Sequence, residues 1–180
     1  MTVAAVLAIA ALLAPSAGGE RAVQRGWYVR FGEDAWTYSP ASDEIQPQRT
    51  RQATFLHLGD DGTALQLAVT VREDTGSRAG QPVLSGGDGF AVWSGTWRRA
   101  DGGIEVELGF RMSSKVVFAA PPGAWKVAAT LHGRHLQTPD GPLVPLGFAY
   151  PVDAASLRRQ LFELCCSVPG RDPACRAVRR

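Results

Sequence analysis

Three histidines are the first residues to test for chemistry: His57, and His132 and His135, which flank Gly133-Arg134. In an extended strand, residues three apart point to opposite faces, so the pair reaches one metal only if the chain turns at Gly133. His57 shares a strand face with Phe55, which suits a polar strand position better than a ligand. Leu84-Ser85-Gly86-Gly87 lacks the Gly-x-Ser-x-Gly frame of a nucleophile elbow. No phosphate-cradling glycine loop and no His-Glu-x-x-His helix is present. Asp43-Glu44 is one carboxylate pair, in a polar stretch. Glu105 and Glu107 are another, two apart on one strand face and across a hairpin from Arg98 and Arg99, which reads as solvent-face charge pairing. These types and spacings yield no catalytic residue, no metal ligand and no cofactor motif.

The five tryptophans, Trp27, Trp36, Trp93, Trp97 and Trp125, are more informative. In a small β-barrel most aromatics fill the core, and some line an apolar cavity. Trp93 and Trp97 share one face of a strand with Gly95. Trp36 and Tyr38 lie outside the clean alternation, beside a polar run, and suit a pocket mouth. The candidate ligand-binding residues are therefore Trp36, Tyr38, Trp93 and Trp97.

The elements that must position them are strands. Gly26–Gly32 is aromatic and β-branched and predicts a first strand. Residues 39–52 are polar with two prolines and predict a long loop. Thr54–Leu58 is a strand, and Asp60-Asp61-Gly62 a turn, because Asp-Gly supplies the positive φ angles that tight hairpins need. Leu65, Leu67, Val69 and Val71 then alternate with Gln66, Ala68, Thr70 and Arg72, the pattern of a half-buried strand. Residues 73–89 predict a second loop. Phe90–Arg98 and Ile104–Arg111 flank the turn Asp101-Gly102-Gly103. Val116–Phe118, Trp125–Leu131, Leu136-Gln137 and Leu143–Tyr150 complete the strands, the last two joined by Pro139-Asp140-Gly141. Short alternating runs joined by Asp-Gly turns predict an antiparallel meander of about eight strands, forming a small barrel or curved sheet. Asp153 then caps one C-terminal helix, with Leu157, Leu161, Leu164 and Cys165 on one face, and Pro169-Gly170 stops it.

The chain has 180 residues, 45% hydrophobic and 20% charged, which excludes global disorder and a multi-span helical membrane protein. A net charge of +2 is too small for a nucleic-acid footprint. Arginine supplies nearly all the positive charge, and lysine only Lys115 and Lys126. Val3–Leu13 is a short apolar run followed by Ala14-Pro15-Ser16-Ala17-Gly18, which reads as a secretory leader cleaved after Gly18. The expected organisation is a signal peptide over 1–18, a barrel-like domain over 19–152, and a helix with a basic tail over 153–180. The tail carries Arg171, Arg176, Arg179 and Arg180, a surface for peripheral contact with anionic lipid. Export implies an oxidising compartment, where a bridge from Cys165 or Cys166 to Cys175 fits, with Cys166–Cys175 as the candidate pair. No Cys-x-x-Cys redox spacing occurs. The strand faces carrying Gln66, Arg72, Glu105, Glu107 and Arg111 argue against lipid contact and for a soluble barrel.

Leu56–Leu67 (L-H-L-G-D-D-G-T-A-L-Q-L) followed by Ser94–Leu108 (S-G-T-W-R-R-A-D-G-G-I-E-V-E-L) resembles lipocalin-like and META-type bacterial envelope domains. The shared shape is strand, Asp-Gly-Thr, strand, Gly-x-Trp, turn, alternating strand. Lipocalins carry Gly-x-Trp in their first strand, whereas here it is Gly95-Thr96-Trp97. The resemblance implies a small periplasmic or secreted barrel and brings no catalytic residue and no cofactor. Three functions follow as expectations. The first is a non-enzymatic envelope protein holding a small apolar ligand, marked by a cavity behind Trp93 and Trp97. The second is a module that binds or inhibits an envelope protein partner and has a filled barrel. The third is a small envelope hydrolase, marked by a His within reach of Ser or Asp in a cleft.

Overall fold

The computed structural model describes residues 23–38, 47–73, 80–85, 90–113 and 125–167; the side chains of 33–49, 110–125 and 167–180 lie outside that description. Nine strands run β1 (Gly26–Tyr38), β2 (Pro47–Leu58), β3 (Thr63–Glu73), β4 (Pro82–Ser85), β5 (Ala91–Ala100), β6 (Gly103–Ser113), β7 (Trp125–His132), β8 (His135–Thr138) and β9 (Gly141–Pro145). Helices α1 (Leu146–Ala149) and α2 (Ala154–Ser167) follow. The strand order is β2-β1-β9-β8-β7-β6-β5-β3-β4, and β2 also pairs with β3. That second pairing closes eight antiparallel strands into a barrel and leaves β4 as an appendix on β3. The fold is mainly β, as the alternating runs predict.

The hairpins are local products of the sequence. All three Asp-Gly turns lie where expected, between β2 and β3, β5 and β6, and β8 and β9. At the first, Gly62 takes φ +80°. The Asp61 carboxylate accepts from the Thr63 amide at 3.0 Å and from its hydroxyl at 2.6 Å. Those bonds hold the Asp61 carboxyl below its ordinary value.

Alternation along each strand builds two hydrophobic layers. Tyr28, Leu56, Leu58, Ala64, Ile104, Val106, Leu108, Leu136 and Leu143 come from strands all round the ring and fill the lumen. Val29, Phe55, Leu65, Leu67, Val69 and Val92 point the other way, under Leu157, Leu161 and Cys165 of α2. β3 is thus buried on both faces over most of its length, where its sequence predicts a half-buried strand. The helix packs on the outside of the barrel rather than plugging an end. It also covers a strand edge: the Leu84 amide of β4 donates to the Gln160 carboxamide oxygen at 2.8 Å, and the Gln160 amide donates to the Pro82 carbonyl at 3.3 Å. A side-chain amide here substitutes for the missing neighbour of an edge strand.

The structure corrects several boundaries. β1 runs past Gly32 to Tyr38 through an irregularity between Phe31 and Asp34, and β2 begins at Pro47, so residues 47–52 of the expected 39–52 loop are strand and the rest of it lies outside the described residues. The polar side chains there do not prevent pairing, because ladder bonds use the backbone and Thr50–Leu58 has partners on both sides. Pro82–Ser85 is likewise a strand inside the expected 73–89 loop. The expected strand Leu143–Tyr150 ends at Pro145, and Leu146 turns into α1 with its side chain buried under the outer layer. Val116–Phe118 and Pro169-Gly170 lie outside the described residues, as does the leader.

At the end of α2, Cys166 is exposed and a free thiol, whereas Cys165 is fully buried and disulfide-bonded. The candidate pair is therefore corrected at Cys166. At helical spacing, Cys165 follows Leu157 and Leu161 onto the inward face, and Cys166 is rotated to solvent. Cys175 lies outside the described residues.

Tyr28 offers a test of lumen packing. Its ring is buried, and its hydroxyl donates to the Gln24 carbonyl at 2.7 Å. Burial pushes the phenol up to about 12 from 10.0. The unfolded chain ionises first, so Tyr28 stabilises the fold below pH 10, and that contribution falls away as pH rises towards about 12. A Tyr28→Phe variant should show a shallower loss of stability across this window in denaturation followed against pH. An unchanged slope would show that Tyr28 does not remain protonated in the fold.

Candidate functional site

A cavity of about 230 Å³ lies in the lumen. Alternation in the closed ring aims its lining inward. Leu56, Val106, Leu108 and Leu143 form apolar walls from three strands, β2, β6 and β9, and Trp93 of β5 closes one side. Arg30 (β1), Thr54 (β2) and Gln66 (β3) face the same space. The register explains their convergence: Arg30 pairs with Thr54, Leu56 with Gln66, and Gln66 with Trp93. Partners across a ladder point to one side of the sheet.

Arg30 is the dominant charge. Its side chain is 24% exposed, and Nη1 lies 3.0 Å from the Asp140 carboxylate and 3.4 Å from the Thr138 hydroxyl. Asp140 is itself 71% exposed, so solvent screens this pair. Thr138 donates onward to the Gly141 carbonyl at 2.7 Å, which fixes the β8–β9 turn beside the guanidinium. Both Arg30 contacts use Nη1, which leaves Nε and Nη2 without a partner among the described residues. Neither the Gln66 carboxamide nor the Thr54 hydroxyl has a partner among the described residues, and no described side-chain polar atom is both fully buried and unsatisfied. The cavity therefore presents hydrogen-bonding groups that are open to an occupant.

The four tryptophan-set candidates separate. Trp93 lines the cavity. Trp97 lies on the same face but does not touch the cavity: its indole donates to the Gly59 carbonyl at 2.9 Å, and its amide donates to the Gly62 carbonyl at 2.8 Å. It ties the β2–β3 turn across one barrel end. Trp36 and Tyr38 lie in the distal arm of β1, opposite Arg49 and Pro47, and their side chains lie outside the described residues. Arg30, Thr54 and Gln66 do not stand out in the sequence, because a polar residue in a strand reads as solvent-facing. The available signal was parity: Arg30 shares the face of Tyr28, a large aromatic that has to be buried.

Among the described residues no hydrogen bond joins a histidine to a serine or aspartate side chain. His132 and His135 pair directly across the β7–β8 turn with rings stacked at 6.1 Å, so the turn at Gly133 does bring them to one face. Among the described residues no group of three His, Cys, Asp or Glu side chains could hold a metal. His57 lies 5.0 Å from the Trp27 ring, and burial pushes its imidazole below the ordinary value, against the pull of Asp61 and Asp60. Comparison of the chain with protein-family models, curated proteins and solved structures finds no match.

Proposed function

We propose that this is an exported, non-enzymatic, lipocalin-like binding protein of the bacterial envelope. Its lumen holds a small amphipathic molecule with an anionic or strongly accepting head. The observation that carries this reading is the convergence of Arg30, Thr54 and Gln66, each with hydrogen-bonding capacity to spare, on a cavity walled elsewhere by leucine, valine, Ala68 and Trp93, with Thr138 and the largely solvent-exposed Asp140 at the side where Arg30 is held. Ligand sites combine apolar walls with a few placed polar groups. At about 230 Å³ the cavity takes on the order of ten non-hydrogen atoms. A long lipid tail does not fit. A short carboxylate does, with its head at Arg30 and its chain against Leu56, Leu108 and Leu143.

Native mass spectrometry of the mature protein, purified without detergent, tests this together with calorimetric titration of hexanoate and hexanol. The expected result is a small bound mass that is lost on denaturation, and hexanoate binding that Arg30→Met weakens about tenfold or more, as loss of a partly buried charge contact does. Hexanol should bind more weakly than hexanoate. Ala68→Phe, which fills the cavity from β3, should abolish binding. A bare polypeptide mass with no hexanoate binding would overturn the reading, as would binding indifferent to both substitutions. The same spectrum gives the N-terminal residue, expected at Gly19 if the leader is cleaved after Gly18.

A further inference from the structure

A second concavity, outside the barrel and separate from the lumen, carries a different chemistry. It is an open groove of about 810 Å³ between the start of β1, the β7–β8 turn, α1 and the first half of α2. Arg25, Arg134, Arg158 and Arg159 line it, with Phe148 and Phe162. No carboxylate is among its lining residues. Arg25 pairs at 2.9 Å with Asp60, which is 81% exposed. Among the described residues, Arg134, Arg158 and Arg159 form no ion pair. Arg72 and Arg99, outside the groove, are also exposed and form no ion pair among the described residues, so what distinguishes the groove is that three such arginines share one concavity; Arg98, also outside it, is paired with Glu105. Phe148 is 67% exposed and is one of only two large hydrophobic side chains left exposed among the described residues.

The groove concentrates positive charge beside an exposed aromatic, and that charge selects the partner. Planar guanidinium groups bind carboxylates in fixed geometry, and arginine with aromatic residues dominates the energetics of protein recognition. The three unpaired arginines stand on two separate elements, the β7–β8 turn and α2. They therefore suit several carboxylates spaced along a chain better than one small anion. A concave groove also fits a protein segment better than it fits a lipid surface. We propose that this groove docks an acidic peptide segment of a partner protein. Carboxylates of the segment engage Arg134, Arg158 and Arg159, and an apolar side chain packs on Phe148 and Phe162.

The test is fluorescence anisotropy of the full protein with a labelled peptide of alternating glutamate and phenylalanine. Controls are the same peptide with glutamine for glutamate, and phosphatidylglycerol vesicles. Binding of the acidic peptide is expected, weakening as salt is raised. The double variant Arg158→Glu/Arg159→Glu should weaken it at least about tenfold. Phe148→Ser should weaken it severalfold, and Arg98→Glu should leave it unchanged. All these side chains are exposed, so circular dichroism and thermal midpoint should stay as in the parent, which separates lost docking from lost folding. The proposal is overturned by an absence of peptide binding, by equal binding of the glutamine peptide, by indifference to the double charge reversal, or by affinity for the vesicles alone.

Discussion

Leu161→Ala should destabilise the protein by about 3 kcal/mol, although Leu161 belongs to no strand and contributes nothing to the barrel ladder. Leu161 and Leu157 are both fully buried, and they lie on the outer layer of the barrel with Phe55, Leu65, Leu67 and Val69. A truncated leucine loses its transfer free energy and leaves a void that a rigid sheet cannot collapse to fill. The outward-facing apolar row of β3 depends on this cover, and so does β4, whose edge is held by Gln160 of the same helix. Urea denaturation checks the expectation, with the exposed Val152→Ala as a control that should stay within about 0.5 kcal/mol. A Leu161→Ala loss as small as that of the control would mean that α2 is not part of the cooperative fold.

Gly95→Ala should cost a comparable amount, about 3 kcal/mol, for the opposite reason. A Cβ at Gly95 would run into the main-chain carbonyl of Glu107 and crowd the Leu108 backbone on the neighbouring strand. The obstacle is backbone on both counts, so no side-chain rotation relieves it. β5 and β6 shift register between Val92 and Trp93, and their close approach follows at Gly95, between the lumen-facing Trp93 and Trp97. Glycine in a strand interior commonly marks such a bend. Thr96→Ala, one residue on and exposed, should stay within about 0.5 kcal/mol. The measurement is again the denaturation midpoint. A Gly95→Ala variant of parental stability would show that the β5–β6 crossing is more open than described. In the variant, Trp97 should also report the change, since its indole tie to Gly59 lies two residues away along β5.

The sequence was most legible where interactions are local. The Asp-Gly turns and the period-two runs locate the hairpins, and Asp61 with Gly62 needs only Thr63 to complete its turn. The spacing of Leu157, Leu161 and Cys165 likewise places the inner face of α2, because a helix repeats over four residues. The candidate site was only partly legible. Trp93 stood out as an aromatic on an alternating strand, but Arg30, Thr54 and Gln66 did not. Their role depends on partners from β2, β3, β8 and the β8–β9 turn, which are distant in the chain.

By itself, then, the sequence determined the alternating cores of the main strands, their Asp-Gly turns, the all-antiparallel character and the amphipathic C-terminal helix, because each rests on contacts between near neighbours, whereas β4 and the outer arms of β1 and β2 did not show in it. Tertiary structure alone decided which side of each strand is the inside. Alternation says that Leu65, Leu67 and Val69 differ from Gln66 and Ala68, but it does not say which set faces the lumen. The apolar set faces outward because α2 covers it, and the mixed set lines the cavity because β2 pairs with both β1 and β3 to close the ring. Closure at the β1–β9 seam rests on two register pairs, Tyr28 with Pro145 and Val29 with Val144. Contacts that few and that distant in sequence leave no periodic trace, and they turn a strand-bound arginine into part of the wall of the lumen cavity.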